Sequence, residues 1–199
     1  MTAQAFDAPP DVPAFYLDDM HAMQAELWQH AQRVLGPCAH GYSLAPARFV
    51  ADEASCATRI GNEITIYLDL NAAGDWACCA AILGHELVHA LDGLSGHASW
   101  LEEGMGCLFG IGQCAAMFDD VPTHLCSGAY LHALKLVAAI PNPFDVVKSL
   151  RAQGLRMCSI TPGQLMAAAP AVDRALAAHL CARFNSGVIG TGTLHRYDG

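Results

Sequence analysis

At 199 residues the chain is long enough to bury one sizeable core, and 53% of it is hydrophobic. Only 15% is charged, against about 25% in ordinary globular proteins, so the composition is that of a folded chain and not a disordered one. The net charge of -9 argues against nucleic acid or an anionic membrane as partner, because gripping phosphates needs a basic patch.

Met1 to Pro13 carries acids and prolines and lacks the basic start and apolar core of a secretory signal. From Val12 to Leu35 the apolar positions Tyr16, Met20, Met23, Leu27, Ala31 and Val34 step by three or four, which predicts an amphipathic helix stopped at Gly36-Pro37. Two strand-like runs follow, Ala47 to Ala51 and Ile64 to Leu70, the second (ITIYLDL) bracketed by Asn62 and Asn71. Asn71 to Gly74 reads as a turn. Trp76 to Leu91 reads as an apolar helix ended at Asp92-Gly93. The linker Gly93 to Ser99 (GLSGHAS) leads into a helix from about Trp100. Gly104 to Phe118 is uncharged but too short to span a bilayer, which takes about 20 apolar residues. Beyond Pro122 the chain reads as helical: Thr123 is placed to cap one helix that Pro141 ends, Pro143 to Gly154 makes another, and Thr161-Pro162-Gly163-Gln164 carries a capping box. The tail from Asn185 reads as loop.

The chemistry lies in His85-Glu86-Leu87-Val88-His89. On a helix, positions i and i+4 share a face, so both imidazoles can reach one ion about 2 Å away. Glu86, one residue on, can reach a water at that ion without ligating it, and can move a proton between the water and a leaving amine. Ten histidines in the chain make the five residues alone only moderately specific. The flanks Ala80 to Leu83 and Ala90-Leu91 are uncharged, however, and two histidines and a glutamate in so apolar a helix are costly to bury without a ligand. A catalytic zinc site takes three protein ligands and an open position, so a third ligand is expected elsewhere. Glu102, Glu103 and His97 are the alternatives, and the two glutamates point about 100° apart on a helix, so only one of them can face the ion.

With Trp100-Leu101-Glu102-Glu103-Gly104, the chain resembles the gluzincin metallopeptidases, which pair HExxH with a glutamate on a following helix. One branch carries W-L-x-E-G there, and the resemblance implies that Glu103 is the third ligand, beside His85 and His89, with Zn2+ as the ion. It covers Ile60 to Leu108, roughly a quarter of the chain. It further implies an α+β, zincin-like fold: a single domain over 1–199, with a small N-terminal mixed sheet and the HExxH helix in 1–93, and an all-helical half in 94–199. Strand 64–70 would be the edge strand along which substrate lies antiparallel. Where related chains place an Asp four residues after the glutamate, this one has Cys107, so Asp92 and Asp69 are the candidates for orienting a ligand histidine. The metzincin pattern does not fit, since Gly93 falls one place late and His97 two. Related enzymes supply an oxyanion donor from the helical half, and Tyr130, His124 and His132 form the pool, with Tyr130 the first choice.

The expected function is therefore a zinc peptidase acting on a peptide or protein substrate, with Glu86 as general base and water attacking directly. The alternative is a non-catalytic zincin-fold scaffold or interaction domain, since low charge and nine cysteines also suit a protein held in a complex or oligomer. Reduced core thiols and no C-x-x-C pair point to a soluble cytoplasmic protein, or to one exported without a recognisable signal.

Overall fold

The computed structural model describes residues 11–39, 41–51, 54–94, 97–118 and 128–185, in which a small mixed sheet packs against eight α-helices. Helix α1 (Leu17–Leu35) follows a single 3-10 turn at Pro13–Phe15 and buries Met20, Met23, Leu27 and Ala31 of the expected stripe; Leu35 is buried at its end, while Val34 and Tyr16, which precedes the helix, are half-buried. Strands β1 (Ser43–Leu44), β2 (Arg48–Phe49), β3 (Cys56–Ile60) and β4 (Glu63–Leu68) form the sheet. β1 and β2 run parallel to β4, Ser43 opposite Glu63 and Phe49 opposite Leu68, while β3 pairs antiparallel with it from Glu63 to Tyr67.

β4 is thus the interior strand, which corrects the expectation that 64–70 is the edge. One edge is β3, an element the hydropathy pattern does not announce, and β1 and β2 lie on the other side of β4. The physical reason is the two-residue turn Gly61-Asn62: Gly61 adopts φ 61°, the left-handed conformation that tight hairpins require, and it folds Cys56–Ile60 back along one side of β4. Along β4, Ile64, Ile66 and Leu68 are buried and face the helices. The strand stops at Leu68 because the Asp69 carboxylate accepts from the N–H groups of Asn71 and Ala72. That interaction starts the short helix α2 (Leu70–Gly74), where a turn is expected from the sequence.

Helix α3 (Trp76–Leu91), capped by Asp75, is apolar on nearly every side because it is sandwiched. One side meets the sheet and α1 in a core of Met20, Leu27, Ile66, Leu83 and Leu87. The other meets α4 (Trp100–Met117) and the C-terminal helices through Val88, Leu91, Leu101, Met105 and Phe109. Four further helices, α5 (Gly128–Ala138), α6 (Pro143–Ala152), α7 (Pro162–Ala168) and α8 (Arg174–Leu180), close that side. Thr161 and Gln164 form the expected capping box on α7. The expected cap at Thr123 lies outside the described residues. Among those residues, no helix is long and apolar enough to cross a membrane.

One ion pair ties three helix ends together. Arg151 on α6 donates to the Asp92 carboxylate at 2.9 Å and to the carbonyls of Leu35, Gly36, Pro37 and Leu91, closing the C-terminal ends of α1 and α3. The other Asp92 oxygen accepts from Met157 N–H at 2.6 Å. Both side chains of the pair are 5% exposed, so Asp92→Ala leaves a buried guanidinium without its counter-charge. That change is expected to cost about 3–5 kcal/mol, read as a lowered midpoint in urea unfolding.

Candidate metal centre

α3 and α4 lie antiparallel, so that His89 meets Glu102, His85 meets Gly106 and Ala81 meets Gly110. Glycine is required where they cross: a methyl at Gly110 would stand 2.2 Å from the Ala81 carbonyl oxygen. That close approach carries the side chains of one helix onto those of the other. His85 and His89 present their Nε2 atoms to each other at 3.0 Å, with ring centroids 4.9 Å apart. From α4, Glu103 brings Oε2 to 3.2 Å from His85 Nε2 and 3.6 Å from His89 Nε2. His89 is fully buried, Glu103 is 1% exposed and His85 is 13% exposed.

Three groups that can each offer a lone pair to one ion meet here. Glu103 Oε2 is buried and faces the two imidazole nitrogens, a position in which a cation among the three would favour its charge. The circle through the three donor atoms has a radius of about 1.9 Å, just under the roughly 2.0–2.1 Å of a Zn–N or Zn–O bond. One ion can therefore touch all three at once. His85, His89 and Glu103 are also the group that ligand chemistry and proximity select as able to hold a metal ion among the described residues.

What surrounds the three explains their aim. His89 Nδ1–H donates to Glu102 Oε1 at 2.9 Å, which leaves the Nε2 lone pair facing the other donors. Burial pushes the Glu102 carboxyl above its ordinary range, against the His89 hydrogen bond that favours its charged form. Burial acts on Glu103 in the same direction, but the adjoining imidazoles of His89 and His85 outweigh it and hold that carboxyl below the ordinary range. His85 has a softer neighbour, with Cys107 Sγ 3.7 Å from its Nδ1. Its ring lies over Gly106, where a methyl would stand 2.9 Å from Nδ1. Gly106→Ala is expected to turn the ring and weaken metal binding about 10–100-fold while the fold survives, measured by competition with a chromophoric chelator.

No family model, curated protein or solved structure matches the chain. The centre therefore stands on its own geometry.

That geometry sorts the residues singled out in the sequence. His85, His89 and Glu103 come together as expected. Glu102 does not join them as a ligand, since its carboxylate is turned to His89 Nδ1. His97 is exposed and outside the group. Glu86 is 3% exposed, one residue along α3 from His85. Tyr130 places its ring edge-on to His85 at 5.9 Å, whereas His132 packs on Trp100 and His179. His124 lies outside the described residues. Neither acid expected to orient a ligand histidine does so, for Asp92 is engaged by Arg151 and Asp69 caps α2. The acid bonded to a histidine of the group is Glu102, at His89 Nδ1, and the signal for it was its place directly before Glu103, one helical step around from it.

Proposed function

We propose that the chain is a zinc-dependent peptidase whose metal is held by His85, His89 and Glu103. The observation that carries this reading is the convergence of three donor atoms within 3.6 Å, His89 and Glu103 buried and His85 half-buried, with a carboxylate next in sequence to the first histidine. Three protein ligands leave a position for water or substrate, which separates a catalytic site from a closed structural one. A bound zinc ion supplies Lewis acidity, bringing the pKa of a water it holds to near 7.

The chain's own residues do the rest. Glu86 takes the proton of the attacking water and returns it to the departing amine; burial keeps solvent from competing for it. Glu102 fixes the tautomer and orientation of His89. Tyr130, whose ring lies edge-on to His85, donates to the oxyanion as it forms. Among the described residues no strand pairs with the outer side of β3, so an extended peptide can add there through main-chain hydrogen bonds.

The test is hydrolysis of a peptide library by zinc-loaded protein. Turnover is expected to disappear with 1,10-phenanthroline and to return when zinc is restored. Full zinc loading with no peptide cleaved would instead favour a scaffold that has kept the centre.

A further inference from the structure

The two histidines of the centre have different neighbours. His89 is anchored by the Glu102 carboxylate at 2.9 Å, whereas His85 has a thiol at 3.7 Å and is the most exposed of the three ligands. What lies against the His85 ring is Tyr130, and behind Tyr130 lies Phe184 at 5.2 Å between centroids. Phe184 comes from the segment that follows α8. That segment pairs antiparallel with the N-terminal approach to α4: Phe184 N–H donates to Ala98 O at 2.9 Å, Trp100 N–H donates to Ala182 O at 3.1 Å, and Ser99 faces Arg183. Phe184 also packs on Trp100 at 4.7 Å.

We infer that the strap Ala182–Phe184 is a positioning element of the metal centre, in which Phe184 holds Tyr130 against His85 and so sets the aim of that ring. The inference rests on the metal-centre reading above. Two hydrogen bonds fix the strap to the same stretch of chain that begins the Glu103 helix, so strap, tyrosine and ligands are referenced to one element. Edge-on and tilted aromatic pairs at these separations are attractive and orientation-dependent, so removing the outer ring frees the inner one. Phe184 acts through Tyr130 and touches none of the metal-binding atoms.

The test uses the full chain and two probe ions. Zinc affinity is measured by chelator competition, and the visible spectrum of the cobalt(II) form reports ligand geometry without requiring activity. Phe184→Ala is expected to bind zinc about three- to tenfold more weakly and to change the cobalt spectrum. Phe184→Tyr is expected to restore both. His179→Ala, which removes a different ring from Trp100 at 5.1 Å, should change neither, separating the ring relay from general loosening of this end of the molecule. If Phe184→Ala does not fold by circular dichroism, Phe184→Leu keeps the bulk without the ring and is expected to show the same loss. Wild-type affinity and spectrum in Phe184→Ala or Phe184→Leu would overturn the strap's role and leave the metal centre standing. A wild-type protein that binds neither ion would overturn the metal centre, and the strap's role with it.

Discussion

Glu86→Gln is expected to keep a full complement of zinc and to lose hydrolysis by about 10²–10⁴-fold in kcat. The amide is nearly isosteric with the carboxylate, and the change leaves His85, His89 and Glu103 untouched, so the ion should stay. What is lost is the proton acceptor, which Gln cannot replace at neutral pH. Glu86 is 3% exposed, so bulk water offers no easy substitute. The useful quantity is the split between the two readouts. Lost turnover with retained zinc assigns Glu86 to proton transfer, whereas lost zinc would make it part of the ion's holding set. Unchanged turnover would remove the proposed mechanism.

The second large effect separates two adjacent glutamates. Glu103→Ala removes a donor atom from a three-ligand site and is expected to abolish zinc binding at micromolar metal. Glu102→Ala removes only the acceptor that orients His89, and a loss of about 10–100-fold in affinity is expected. Stability should follow affinity, because an ion that binds only the folded chain stabilises it by about 4 kcal/mol when present at a thousand times its Kd. Added zinc should therefore raise the melting temperature of wild type strongly, that of Glu102→Ala less, and that of Glu103→Ala not at all. The reverse order of the two variants would make Glu102 the ligand.

Much of the centre was legible because helical geometry is local. The i, i+4 spacing of His85 and His89 is sufficient to put them on one face, and the uncharged flanks of α3 announce its burial between two cores. Glu103 was legible only through W-L-x-E-G, since the pairing of α3 with α4 is a tertiary fact. For the same reason Glu102 reads as a competitor to Glu103. On one helix the two diverge by about 100°, and only the antiparallel neighbour shows that the second direction meets His89 Nδ1. Asp92 looks like a partner for a ligand histidine because it follows α3 closely, but Arg151, 59 residues away in sequence, claims it. The sheet was harder still. β3 carries Cys, Ala, Thr and Arg, with no run of strong strand formers, and its existence rests on the Gly61-Asn62 turn and on pairing with β4. Gly106 and Phe184 have no signature in the sequence at all. One matters for the atoms it lacks over His85, the other for a ring brought back from the far end of the chain.

The metal assignment is tested by a crystal structure of zinc-loaded protein with diffraction collected on either side of the zinc absorption edge. The expected result is one strong anomalous peak per chain, about 2 Å from His85 Nε2, His89 Nε2 and Glu103 Oε2, with Glu102 still bonded to His89 Nδ1. A peak that lies elsewhere, or that uses Glu102 or His97 in place of Glu103, would contradict the assignment. So would zinc-soaked crystals with no peak at these three residues.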